Sequence, residues 1–211
     1  MKNLLLWKGD INGARDILDE ARRLGKIDEV EYILNFMSYF IEMMAGNYQS
    51  AQNALDNVET KELLNNQFNY SPSALLRAYL ERMRGNETTA KKYFDSARVF
   101  LEQKQKSNPE DERLYSSLGI VYAALGRKEE AVRAGMRGVE LLPVEKEAWR
   151  GSFRLIDLAK IYMMTGDQEK AVDLLERLLS IPSELSAVYL KNDPSWIPLR
   201  TNKRFQKLVA G

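Results

Sequence analysis

Apolar residues recur at helical spacing along most of the chain, and glycines divide this pattern into units. Five glycines are each followed by an alanine five residues later, and successive glycines lie 37, 39, 41 and 40 residues apart. Each glycine follows one apolar run and precedes another, which predicts a left-handed helix end and a reversal into an antiparallel helix. The alanine, one turn into the second helix, predicts close approach of the two backbones. The pairs are Gly9/Ala14, Gly46/Ala51, Gly85/Ala90, Gly126/Ala131 and Gly166/Ala171.

Proline and polar residues predict where several helices begin and end. Ser71-Pro72 and Asn108-Pro109 are typical of an N-cap followed by proline at the first helical position. Pro143 is expected to end the helix before it. No segment shows the period-two alternation of a strand, so the sequence predicts no sheet.

The pattern as a whole predicts an all-α fold, an α-α superhelix of about five helix pairs plus C-terminal capping helices. We expect the solenoid to cover residues 1–182 and a capping segment to cover residues 183–211. The second helix of the third unit, over 90–106, is expected to be unusually long. The first unit is truncated, because only eight residues precede Gly9. We expect that the chain was cut from a longer protein or that a partner, including a second copy, covers this end; a naturally short first helix is the alternative.

Two units share one arrangement of large, small and aromatic residues: Leu118, Gly119, Tyr122, Gly126, Ala131 and Pro143 in the fourth, and Leu158, Ala159, Tyr162, Gly166 and Ala171 in the fifth. This arrangement resembles the tetratricopeptide repeat. Units near 40 residues exceed the roughly 34 of that repeat, so longer helices or connections are expected. HEAT-type repeats have the longer period, but they do not explain the Gly-x4-Ala turn with the preceding tyrosine of these two units.

Some positions depart from the repeat pattern. The second unit has Glu42 where the tyrosine is expected, and the fourth has Gly135 and Gly138 in its second helix. A glycine inside a helix costs about 1 kcal/mol relative to alanine, so this helix is expected to be weakened.

The C-terminal sequence carries a second resemblance. The run Asp193-Pro194, Trp196, Pro198-Leu199-Arg200 and Arg204-Phe205 resembles the end of repeat regions in bacterial signalling proteins, where such regions follow Ser/Thr kinase, winged-helix or nucleotide cyclase domains. The resemblance implies a sensory or scaffolding module of a larger regulator. Physically, we expect the apolar residues of this run to cover the last exposed face of the solenoid.

Composition removes several classes of function. The chain has no His and no Cys, which excludes imidazole or thiolate catalysis, the usual zinc sites and disulfides. With 31 basic and 30 acidic residues, its net charge of +1 gives no field that would draw in nucleic acid or an anionic membrane. Acidic clusters fall at helix starts or on polar faces, without calcium-loop spacing, so neither metal nor cofactor is expected. No signal peptide is recognisable, and we expect a non-enzymatic, cytoplasmic protein.

In tetratricopeptide repeats the first helix of each unit lines the concave face, and the resemblance therefore implies a binding groove. The projected groove residues are Phe36, Phe40, Met43, Leu75, Tyr79, Arg82, Arg113, Ile120, Ile156 and Lys160. The Lys and Asn residues with which some family members clamp a terminal carboxylate are absent at the matching positions. The groove instead predicts a protein or peptide partner that offers an amphipathic helix or an extended apolar segment, with the three basic residues fixing its register.

Three alternatives to this groove remain open. The apolar residues in the set could belong to the core, a closed cavity could bind a small apolar ligand, or the chain could be a spacer or oligomerisation element. The spacer interpretation expects Trp196 and Phe205 to pack inside the concavity, whereas a ligand sensor expects a sealed pocket of roughly 300–1,000 Å³.

Overall fold

The structure, a computed structural model, describes residues 8–24, 31–57 and 64–210. Its α-helices are α1 (Ile11–Leu24), α2 (Glu31–Ala45), α3 (Tyr48–Asp56), α4 (Ser73–Met83), α5 (Glu87–Ser107), α6 (Glu112–Ala124), α7 (Lys128–Leu141), α8 (Ala148–Thr165), α9 (Gln168–Ser180), α10 (Ala187–Asn192) and α11 (Lys203–Ala210). A 3₁₀ helix spans Pro194–Leu199, and two short strands are β1 (Leu64–Asn65) and β2 (Tyr70–Ser71).

Left-handed glycines form the turns between paired helices, as the repeat predicted. All five repeat glycines have positive φ, and among the described residues no other residue type does. At Gly126, with φ of 80°, the amide donates to the Ala123 carbonyl and the next amide donates to the Tyr122 carbonyl. These bonds satisfy carbonyls at the end of α6 and reverse the chain into α7. The five repeat alanines are fully buried, so the predicted close contact between paired helices is confirmed.

Helix pairs stack in chain order and confirm the all-α superhelix. Paired contacts join α2 to α3, α4 to α5, α6 to α7 and α8 to α9, while α8 also packs against both helices of the preceding pair. The long second helix predicted for the third unit is α5, with 21 residues. Residues 1–7 lie outside the described part of the chain, so truncation of the first unit stays a prediction.

The two proline-based helix starts were wrong. Helix α4 begins at Ser73, after Pro72, because Ser71 is extended and pairs in β2. Helix α6 begins at Glu112, where the Asp111 carboxylate caps it by accepting from the Arg113 amide at 3.1 Å. The carboxylate accepts a hydrogen bond from a first-turn amide that has no partner within the helix. A proline side chain has no oxygen atom that could do this. The predicted end before Pro143 is confirmed, since α7 ends at Leu141.

A small hairpin interrupts the linker before α4, where no strand was expected. Leu64 pairs with Ser71 and Asn65 with Tyr70 in an antiparallel ladder. The Asn66 side chain closes the turn by accepting from two loop amides at 2.9 and 3.0 Å. Two residues a strand are too few to produce an alternating pattern, which is why the sequence did not reveal this hairpin.

Glycines in the fourth unit allow three helices to pack closely. A Cβ on Gly119 would lie 2.5 Å from Ile161 Cδ1, and one on Gly135 would lie 2.6 Å from the same atom. A Cβ on Gly138 would lie 3.1 Å from the Glu112 carbonyl. Helix α7 is continuous through both of its glycines, so these departures from the repeat pattern make room for α6 and α8.

Candidate functional site

The C-terminal segment, residues 183–210, lies against both the first and the last unit of the solenoid. At the first unit, Val188 and Asn192 of α10 contact the Gly9 turn, where a Cβ would lie 3.5 Å from Val188 Cγ1 and 2.7 Å from Asn192 Nδ2. At the last unit, Leu190 and Trp196 belong to the apolar cluster formed by α8 and α9. The segment therefore bridges units that are far apart in sequence.

Lys160 of α8 is the basic residue that meets this segment. Its Nζ lies 3.9 Å from Asp193 Oδ2 and 5.6 Å from the centre of the Trp196 ring. Trp196 is fully buried, and Asp193 is only 7% exposed. An ammonium group held between a carboxylate and an aromatic face gains from both contacts, and more so where water is excluded.

Three tyrosines lie in the same interior as Asp193. Tyr39 of α2 donates its hydroxyl to the Leu76 carbonyl at 3.0 Å, and the Tyr189 hydroxyl of α10 is hydrogen-bonded to the Asp193 carboxylate. Burial raises the pKa of Tyr39, Tyr79 and Tyr189, and the nearby Asp193 carboxylate raises each further. All three hydroxyls therefore stay protonated at neutral pH.

A buried ion pair supports α8 beside this interior. Arg154, 1% exposed, places Nη2 3.5 Å from Asp157 Oδ2. Burial raises the pKa of Asp157, against the opposing effects of Arg154 and Lys160. Burial also lowers the pKa of Arg154. Each charged group is therefore stabilised by the other, because burying an unpaired charge costs several kcal/mol, on the order of the loss seen when one partner is removed.

The hairpin loop occupies a second stretch of the solenoid. Arg113 of α6, then Arg150 and Arg154 of α8, donate to the backbone carbonyls of three consecutive loop residues, 66–68. The backbone carbonyl is the same in every residue type, so arginines can make this contact with any extended segment.

An aromatic contact completes the loop attachment. The Phe68 ring stacks on the Phe153 ring of α8, with centroids 4.8 Å apart. Trp149 meets the Phe153 ring edge-on, with centroids 6.4 Å apart. Trp149 stays about half exposed at the edge of this contact. The sequence did not predict the loop that covers Phe153.

Four predicted groove residues are buried. Met43 packs in a cluster of α2, α3 and α4, and Leu75 and Ile120 pack in the cluster of the third and fourth units. Ile156 packs in the cluster that holds the C-terminal segment. These four residues therefore belong to the hydrophobic core.

The three predicted aromatic groove residues are half-buried. Phe36 packs against the α2–α4 cluster, whereas Phe40 packs against both the first-unit cluster and the cluster of the C-terminal segment. Tyr79 meets Phe94 edge-on at 5.9 Å. Of the apolar set, the structure therefore brings Phe40 and Ile156 to the same cluster.

The three predicted basic residues contact this chain itself. Arg82 lies over the Phe94 ring at 4.5 Å and donates to the Ala124 carbonyl at 3.3 Å. Arg113 binds Asp111 and the hairpin loop, and Lys160 meets the C-terminal segment as described above. The groove predicted from the sequence did not include Arg150, Arg154 or the C-terminal segment. Their role on this face depends on contacts between residues that are far apart in the sequence.

A cleft of about 290 Å³ lies between α5, α6 and α7. It is lined by Gln105, Tyr115, Leu118, Tyr122, Arg133, Ala134 and Arg137. The lining contains none of the predicted groove residues. Its volume falls just below the range expected for a small-molecule pocket.

The described residues form neither a cluster of metal ligands nor a membrane-spanning helix. Across 8–24, 31–57 and 64–210, no three acidic side chains converge as metal ligands. Within the same residues, no helix has both the length and the apolar character needed to cross a membrane.

Comparison with known proteins is consistent with the repeat pattern. The tetratricopeptide repeat family model matches residues 155–181, which include most of α8 and all of α9. Among solved structures, the chain is similar to the crystal structure of BtubC (BKLC) from P. vanneervenii, with 18% identity, a TM-score of 0.46, and coverage of 96% of this chain and 87% of that one. No curated protein matches the sequence.

Proposed function

We propose that this chain is a non-enzymatic scaffold that binds a protein or peptide on the inner surface lined by α2, α4, α6 and α8. Tetratricopeptide repeats generally mediate protein–protein interactions. The partner class follows from the surface, which is mainly apolar and aromatic with three basic residues, and which suits an amphipathic helix or an extended apolar segment. The balanced net charge of +1 supports neither nucleic acid nor membrane as the partner.

The observation that carries this proposal is that two peptide segments already lie on α8. The hairpin loop is held there through its backbone carbonyls, and the C-terminal segment is held through apolar side chains and one carboxylate. A surface that holds an extended loop and a short helix has the donors and apolar contacts that peptide recognition uses. The same observation also supports the spacer alternative, because Trp196 packs inside rather than at an open end.

The wider context is part of the proposal. The resemblance of the C-terminal sequence to repeat regions of bacterial signalling proteins supports a module of a larger regulatory protein in the cytoplasm. We further propose that the first unit takes part in self-association, because two large apolar side chains of α1, Ile17 and Leu24, are exposed, and Tyr32 and Ile33 at the start of α2 are exposed next to it in sequence.

Charge reversal on the inner surface tests the proposed function. Lys160→Glu combined with Arg82→Glu is expected to abolish capture of the native partner, because both side chains keep partial exposure on the proposed surface. The matched control changes Val99 and Met136, exposed residues of α5 and α7, to Glu. Capture that survives the inner-surface variant, or that is lost only in the control, would show that the partner binds elsewhere.

A further inference from the structure

We infer that the inner surface between the first unit and α8 recognises a short apolar helix followed by an acidic and an aromatic residue. The C-terminal segment is the resident occupant of this surface, and a partner of the same chemistry displaces it. This inference rests on the proposed function, since it specifies the partner for that surface.

The resident occupant has a defined local structure. Ser186 caps α10 by accepting from the Tyr189 amide at 3.0 Å. Asp193 follows α10 directly and caps the 3₁₀ helix by accepting from the Ser195 amide at 2.8 Å. One short helix therefore presents Tyr189 and Leu190, and the next turn presents Trp196, all three buried.

The surface contacts this occupant from two sides. Phe40 and Met44 of α2 pack against the cluster that contains Leu190 and Trp196, and Ile156 of α8 belongs to the same cluster. On its other side α10 meets the Gly9 turn. An occupant must therefore be apolar on two faces, which a single helical turn of Val, Tyr and Leu provides.

Charge and aromatic character identify the rest of the partner. Lys160 lies near one carboxylate, Asp193, and over one aromatic ring, Trp196. A competing segment needs an acidic group and an aromatic ring at these two places to keep the partly buried ammonium satisfied.

The resident occupant fits this surface imperfectly. The indole Nε1 of Trp196 is buried and has no hydrogen-bond acceptor in the part of the chain that the structure describes. A buried donor without an acceptor costs free energy that a phenyl ring would not. A partner with Phe at this place competes favourably with the chain's own Trp.

The segment is attached at two separate places, which allows its inner part to leave. Helix α11 is held on α9 through Arg204, which binds Glu169, Asp173 and Glu176 at 2.7–2.8 Å. Displacement of α10 and Trp196 therefore leaves this attachment in place. These ion pairs are exposed and join α11 to α9 rather than to α2 or α8.

Cleavage between the solenoid and the segment tests the inference while every native contact is still present. A protease site is inserted after Pro182, which is exposed, and the cleaved chain is titrated with a fluorescent peptide that copies residues 183–210. We expect the peptide to bind the cleaved chain by exchange with the cut segment and to bind the uncleaved chain more weakly, because a tethered competitor occupies the surface of the uncleaved chain. Helical circular dichroism is followed in parallel.

A matched pair of lysines isolates the inner surface. Lys170 of α9, like Lys160, lies over an aromatic ring and beside an aspartate, with Nζ 5.4 Å from the Tyr162 ring and 2.7 Å from Asp167. In the cleaved chain, Lys160→Glu is expected to weaken peptide binding by about tenfold or more, whereas Lys170→Glu leaves it unchanged.

Three results would overturn the inference. They are loss of helicity on cleavage, failure of the peptide to exchange into a folded cleaved chain, and equal effects of the two lysine variants. The proposed function is tested separately by capture of the native partner. Capture that depends on Lys160 and Arg82 while the peptide fails to exchange would retain the scaffold and reject this occupant.

Discussion

The Arg15 guanidinium donates two hydrogen bonds to the Glu42 carboxylate, with Nε–Oε1 of 2.7 Å and Nη2–Oε2 of 2.8 Å. This bidentate pair joins α1 to α2 at the position where the repeat pattern expects a tyrosine. The Asn47 side chain donates to the same carboxylate at 3.0 Å. The departure at Glu42 is thus explained by an ion pair that attaches the first described helix.

Glu42→Gln is expected to destabilise the chain by roughly 1 kcal/mol at neutral pH, because it removes a charge-assisted pair that is only partly buried. The hydrogen bond from Arg15 lowers the pKa of Glu42, so the unfolded state takes up its proton at a higher pH than the folded state. The contribution is present above the unfolded pKa and is lost as pH falls through the folded one. Urea unfolding at pH 7 and pH 3.5 checks this, and an equal difference at both pH values would contradict it.

The turn glycines give a prediction about backbone conformation alone. A Cβ on Gly126 meets nothing within 4 Å, so Gly126→Ala introduces strain only through φ of 80°. We expect a loss of about 1–2 kcal/mol in the free energy of unfolding. Gly126→Asn is the matched control and should cost less, since Asn tolerates the left-handed region. Equal losses in urea unfolding would show that φ is not the cause.

The buried ion pair of α8 gives a prediction about charge. Arg154→Met leaves the Asp157 carboxylate without its closest cation and is expected to cost about 3–5 kcal/mol at neutral pH. Arg154→Met with Asp157→Asn should recover part of this loss, because no unpaired charge remains. A double variant less stable than the single one would argue against the pairing.

The same variant has a predicted pH dependence. Burial raises the pKa of Asp157, and loss of Arg154 raises it further. In the folded variant Asp157 therefore binds its proton at a higher pH than in the unfolded chain. The loss in the free energy of unfolding, relative to the native protein, shrinks as pH falls from 8 towards 4. Thermal unfolding across this range checks the sign, and a deficit that grows at low pH would contradict it.

Exposed apolar residues of the first unit predict self-association. Leu24 of α1 is 77% exposed, and Ile17 lies on the same helix at 42%. Apolar side chains clustered at a solenoid end are typical of a contact surface. Ile17→Glu with Leu24→Glu is expected to shift sedimentation towards the monomer, whereas Val99→Glu on α5 should not. A native chain that is monomeric at all concentrations would exclude this contact.

How much the sequence revealed depends on how local each feature is. The turn at Gly166 and the contact at Ala171 follow from residues five positions apart, and both were predicted. The contact of Gly9 with Asn192 joins opposite ends of the chain, and no local pattern encodes it. The sequence identified Asp193 and Trp196 as parts of a motif, but only the structure shows that both lie beside Lys160.

The inner surface illustrates the same limit. Repeat spacing placed Ile156 and Lys160 on the first helix of the fifth unit, which is where α8 carries them. Spacing within one helix cannot show which distant segment covers that helix. The hairpin loop on Arg150 and Arg154 was missed for the same reason.

The most direct test of the central claim, that a partner binds where the C-terminal segment now lies, is a distance measurement. The chain has no cysteine, so spin labels can be placed at Asp16 on α1 and Ile197 on the 3₁₀ helix, both exposed. Pulsed electron paramagnetic resonance should give one narrow distance distribution for the free chain and a longer, broader one when the captured partner is bound. A bound partner that leaves the narrow distribution unchanged would contradict the claim.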